Sequence, residues 1–90
     1  FGLRVQNLTG DLAEQLGVQG EQGVVVTDVE GNSSAAEAGM RRGDVILEVD
    51  QEAVANVDEF RAALANQDKV LLLVRRGEAT IFVAVKKKPE

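Results

Sequence analysis

The sequence predicts an α+β domain: a small bent sheet or partial barrel of five to six strands, flanked by two main helices. Three observations point there. Strand-like runs lie at residues 3–8, 23–30, 45–49, 69–74 and 80–85, most of them next to Gly, Asn or Asp turn residues. Between them lie short helical stretches, each with a polar cap in front and most with a stop behind. Runs of strands interleaved with short helices and few long linkers favour an α+β architecture around one core.

Each element has its own warrant. Leu3-Arg4-Val5-Gln6-Asn7-Leu8 alternates apolar and polar, as a half-buried strand does. Thr9 suits the cap of a helix over 10–16, where Leu12 and Leu16 share a face at i, i+4 and Gly17 is the stop. A helix this short persists only if it docks. Gly23 to Glu30 is the second strand, closed by a Gly31-Asn32 turn. Ser33 or Ser34 caps the brief helix Ala35-Ala36-Glu37-Ala38, and Gly39 ends it in the left-handed conformation that a Cβ disfavours. Met40 then tucks back, Arg41-Arg42-Gly43-Asp44 reads as a tight solvated turn, and Val45-Ile46-Leu47-Glu48-Val49 as a strand followed by an Asp50-Gln51 turn.

Asn56 is a good cap for the longest helix, residues 57–66, with Glu59 at the capping-box position. Phe60 on that helix reads as simple core packing. Residues 69–74 form a buried strand, Arg75-Arg76-Gly77-Glu78 a hairpin turn and 80–85 the returning strand. Pro89 cannot donate to a ladder, so order is expected to fade after it; the domain is assigned to residues 1–86 and a tail to 87–90.

Composition narrows the function. Ninety residues form one small domain, burying roughly 60–65% of the unfolded chain's surface. The chain has no histidine and no cysteine, which removes the usual general base, the usual thiolate nucleophile and the commonest metal ligands. Ser33 and Ser34 therefore have no histidine or cysteine partner; a serine–lysine arrangement is formally open, but the serines have an adequate role as a helix cap, and no catalytic residue is assigned. No Asp-x-Asp-x-Asp-Gly pattern offers an oxygen-ligand metal site, and no cofactor is expected. A net charge of −5 argues against nucleic acid as a partner. Lys86-Lys87-Lys88 reads as a solvated terminus, and no apolar run approaches the ~18 residues of a membrane span, so direct membrane insertion is not expected. The chain begins with Phe1 rather than methionine and carries no signal sequence, which predicts a segment of a larger protein.

Binding is better supported than catalysis. Phe1-Gly2-Leu3 is an apolar-Gly-apolar step running into a strand, and a glycine there lets successive backbone N–H groups converge on an anion. If the strand is an edge, an extended peptide can add to it, with the longest helix as the opposite wall. The expected carboxylate-binding loop is Phe1, Gly2, Leu3 and Arg4; the expected groove residues are Val5, Val57, Arg61 and Leu64.

Ser34-Ala35-Ala36-Glu37-Ala38-Gly39-Met40 followed by Gly43-Asp44-Val45-Ile46 resembles the central signature of PDZ domains. With the Leu12-to-Val18 insert before Gly23-Val24-Val25-Val26 and the ending 70–82, nearly the whole chain is similar to the permuted PDZ domains of bacterial HtrA/Deg serine proteases (DegP, DegQ), the second, C-terminal one more than the first. In that arrangement the final strand takes the sheet position that an initial strand fills in animal PDZ domains. Gly10 and Ser34 stand where many relatives have proline. The resemblance implies a non-catalytic peptide-binding module of a periplasmic or envelope-associated protease-chaperone in protein quality control, with the protease domain upstream. Its implied partners are C-terminal or extended segments of unfolded proteins, and neighbouring protease and PDZ domains. The alternative is a structural module for oligomer assembly or regulation.

Overall fold

A computed structural model describes residues 1–18 and 20–87. The strands are β1 (Leu3–Asn7), β2 (Val24–Val29), β3 (Val45–Val49), β4 (Glu52–Ala53), β5 (Lys69–Arg76) and β6 (Ala79–Lys86); the helices are α1 (Gly10–Leu16), α2 (Ser34–Glu37) and α3 (Val57–Leu64). All pairings are antiparallel, in the order β1-β2-β3-β5-β6 with β4 beside β3. The sheet is open, so β1 and β6 are its two ends. Lys88, Pro89 and the tail from 88 onward lie outside the described residues; the Lys87 N–H still donates to the Asp68 carbonyl at 2.6 Å.

The apolar run Val24-Val25-Val26 is buried on both faces, because side chains alternate and each face has its own core. Val24, Val26 and Ile46 belong to the larger core with Ala35, Met40 and Phe60, while Val25 and Val45 meet Ala13 and Val18 in a smaller one. Leu12 and Leu16 pack against that smaller core, which is the docking the short first helix required.

The expected caps are in place. Thr9 Oγ1 accepts from the Leu12 N–H at 3.2 Å, and of the two serines it is Ser33 whose Oγ accepts, from the Ala36 N–H at 3.1 Å, while Ser34 is buried. At the end of α2, Gly39 lies at φ 91°, its N–H donates to the Ala36 carbonyl and the Met40 N–H to that of Ala35. This paired 5→2 and 6→1 arrangement satisfies carbonyls a helix end leaves open, and it seats Met40 in the core.

Asn56 Oδ1 accepts from the Glu59 N–H at 2.8 Å, and the Glu59 carboxylate reaches back to the Ala55 N–H, at 2.9 Å, one residue before the cap itself. Asn56→Ala is expected to lower stability by about 0.5–2 kcal/mol; a denaturation midpoint equal to that of the wild type would count against this role. Helix α3 stops at Leu64 rather than 66, with Asn66 already left-handed at φ 62°.

Two turns depart from expectation. The hairpin turn is only Gly77-Glu78, since Arg75 and Arg76 pair with Thr80 and Ala79 in the ladder. The turn at 41–44 is not solvated throughout, because Asp44 is 1% exposed. Both Asp44 oxygens accept from Arg76, at 2.7 and 2.8 Å, and Oδ2 also accepts from the Arg41 N–H at 2.9 Å. Arg76 Nη2 also donates to the Gly39 carbonyl. Those hydrogen bonds to Asp44, aided by its charge and opposed by burial, hold the Arg76 guanidinium above its ordinary pKa.

Candidate functional site

Between β1 and α3 lies a hollow of about 250 Å³. Phe1, Gly2, Leu3, Arg4 and Val5 line one side, and Phe60, Arg61 and Leu64 the other. Seven of the eight residues expected at the site are thus brought together. Val57 is not among the lining residues. Phe60 is a lining residue that sequence reasoning placed in the core alone; it is buried there and presents part of its surface to the hollow. Its i, i+4 spacing from Leu64 on the same helix was the available signal.

The loop at residues 1–3 is held by its carbonyls. The Phe1 carbonyl accepts from the Ala35 N–H at 3.1 Å, in the first turn of α2, and the Gly2 carbonyl accepts from the Glu30 N–H at 2.9 Å, just past β2. A trans peptide points its N–H opposite its C=O. Anchoring the two carbonyls on α2 and on the segment just past β2 therefore turns the Gly2 and Leu3 N–H groups away from those anchors, toward the hollow. Gly2 allows this with φ 83°, a conformation a Cβ disfavours. An ideal Cβ there would run into the Cβ of Ser33 and lie 2.7 Å from its Oγ.

Arg4 departs from the expected role. It sits opposite Asp28 in the ladder, and the Thr27 hydroxyl donates to its carbonyl at 3.2 Å. The bond from Glu30 to Gly2 fixes the antiparallel alternation so that the Arg4 N–H faces β2 while Leu3 presents N–H and C=O to the open edge. The two donors turned to the hollow are therefore those of Gly2 and Leu3. The ladder skips Thr27, so this bulge lies on β2 and leaves the alternation of β1 intact. The Leu8 N–H donates to the Gly23 carbonyl, which puts the backbone groups of Val5 and Asn7 on the open edge as well.

Charge favours an anion here. Arg4 and Arg61 are both exposed, and neither has an ion-pair partner among the described residues. In a chain of net charge −5, this hollow is lined by two arginines and by no carboxylate. No group of three or more His, Cys, Asp or Glu that could hold a metal is present among the described residues, and none of their helices is long and apolar enough to cross a membrane.

A strand with a free edge, a glycine loop presenting two N–H groups at its start and a capped helix facing it across an apolar hollow define a PDZ-type groove. The family model described as "PDZ domain" matches residues 25–76, and the chain belongs to the PDZ domain family, a protein-interaction module and not itself a protease. The chain is similar to the probable periplasmic serine endoprotease DegP-like of Chlamydia trachomatis serovar D, with 39% identity over 96% of this chain and 18% of that relative. Among solved structures, the HtrA3 PDZ domain bound to a phage-derived ligand (FGRWV) superposes with a TM-score of 0.87 at 25% identity, covering 98% of this chain and 83% of that one. The HtrA-type protease AlgW with decapeptide gives 0.78 at 29% identity, covering 99% of this chain and 29% of that one. The chain thus spans less than a fifth of the DegP-like relative it matches.

Proposed function

We propose that this domain is the peptide-recognition module of a periplasmic serine endoprotease, acting in protein quality control as one of its PDZ domains, the second of them. It takes C-terminal or extended segments of unfolded proteins, which add as a strand to the open edge of β1 with α3 as the facing wall. The observation that carries this reading is the anchored loop: with the Phe1 and Gly2 carbonyls tied to Ala35 and Glu30, the Gly2 and Leu3 N–H groups form a ready anion site at the end of an apolar hollow. Peptide ligands in the HtrA3 and AlgW structures support it.

The carboxylate of the peptide's last residue sits on those two donors, and its apolar side chain enters between Leu3, Val5, Phe60 and Leu64. A short segment that must order itself on binding is expected to reach a Kd of roughly 1–100 μM. The test compares a peptide ending in a free apolar residue with its C-terminally amidated twin by calorimetry, on this chain and on one extended upstream of Phe1. Loss of charge-assisted hydrogen bonds should weaken the amide about tenfold or more. Equal binding of acid and amide would reject the carboxylate site and favour internal segments or domain assembly.

A further inference from the structure

We propose that Asn7 sets the spacing of the two groove walls and marks where the reading of ligand side chains ends. The inference rests on the peptide-binding reading above. Asn7 is the last residue of β1, and strand alternation puts its side chain on the face it shares with Leu3 and Val5. Its Oδ1 accepts from the Val57 N–H at 2.8 Å, across 50 residues of chain. Val57 opens α3, so this N–H is one of those a helix cannot satisfy internally. The N-terminus of α3 thus receives one cap from the residue just before it, Asn56, and a second from the opposite wall, Asn7. Among the described residues, this is the one side-chain hydrogen bond joining β1 to α3.

Val57 itself is partly buried against the larger core rather than lining the hollow. The walls stand apart beside Leu3 and Leu64, and they are joined at Asn7 and Val57. A strand added antiparallel to β1 sets its last residue opposite Leu3, the second before it opposite Val5 and the fourth before it opposite Asn7. The hollow serves the first two positions. At the third the walls are bonded, and a helix-facing side chain has no gap to enter. Asn7 is in this sense a positioning residue: it touches the helix, and the helix touches the ligand.

The test uses Asn7→Leu, which keeps the size and removes the acceptor, and Asn7→Asp, which keeps an acceptor. The probes are four- and eight-residue free-acid peptides sharing an apolar C-terminus, their amides, and a pair with alanine or leucine two residues before the end. In the wild type, the four- and eight-residue acids should bind within threefold of each other. Asn7→Leu should weaken both about tenfold and flatten the alanine–leucine preference while the acid-to-amide ratio persists; Asn7→Asp should stay within threefold of wild type. A purely structural loss would lower all affinities alike and leave that preference unchanged, which overturns the proposal. So would Asn7→Leu binding within threefold of wild type with an intact amide spectrum, or the eight-residue wild-type ligand binding more than tenfold tighter than the four-residue one. Should Asn7→Leu not fold, the length series and Asn7→Asp decide by the same limits. Failure of every acid peptide to bind the wild type rejects the peptide-binding reading and this inference with it, whereas normal wild-type binding with an unaffected Asn7→Leu rejects this inference alone.

Discussion

Gly2→Val is expected to weaken binding of a free-acid peptide by tenfold or more while leaving the β5–β6 hairpin spectrum unchanged. Two effects coincide at this residue. Its φ of 83° is one that a β-branched side chain strongly disfavours, and the new Cβ would collide with Ser33. Ser33 cannot simply move aside. Its Oγ accepts from the Ala36 N–H as the α2 cap and donates to the Glu30 carbonyl, while Glu30 in turn donates to Gly2. Relief of the clash therefore tilts the Gly2 and Leu3 N–H groups away from their common point. Backbone strain of this kind also costs about 1–3 kcal/mol of stability, so affinity is to be measured where denaturation shows the variant folded. Wild-type affinity in the folded variant would remove Gly2 from the site.

Breaking the Asp44–Arg76 pair is the change expected to cost most in stability. Arg76→Ala leaves a carboxylate that is 1% exposed with the Arg41 N–H as its remaining described donor. Removing one partner of a fully buried pair costs roughly 3–5 kcal/mol. Here the Arg76 side chain is 31% exposed and partly screened by water, so about 2–3 kcal/mol is the discounted expectation for Arg76→Ala. Asp44→Ala should cost less, because the stranded guanidinium can turn to solvent. Urea denaturation of both single variants and the double variant measures the coupling directly. A double variant no more stable than the sum of the single losses predicts would show the pair to be incidental.

The distinction between what the chain announces and what it conceals follows sequence separation. Thr9 and Asn56 were legible as caps, the Ser33-Ser34 pair as the place of a third, and Gly17 and Gly39 as stops, because each acts on residues within one helical turn. The centres of the five longer strands were legible from residue type, but not their ends: β5 runs to Arg76, two residues past the expected end. Asp44 was not legible, since the guanidinium that makes its burial tolerable comes from Arg76, 32 residues on. Read locally, a Gly-Asp turn beside two arginines looks solvated. Asn7 was equally opaque: its partner Val57 is brought opposite only by the packing of α3 against β1. The role of Arg4 turned on ladder phase, which depends on which carbonyl Glu30 selects. Alternation along β1 identifies its two faces, but only the pairing with β2 decides which backbone N–H groups face outward.

Amide hydrogen exchange with and without a saturating free-acid peptide decides whether a ligand adds as a strand at β1. The sheet has two ends, and β6 carries the one large exposed apolar side chain among the described residues, Phe82 at 63% exposure. Addition at β1 predicts new protection of the Gly2, Leu3 and Val5 amides, with the Arg4 amide, already directed at β2, unchanged and the β6 amides unaffected. Protection along β6 with none at Leu3 and Val5 would contradict it.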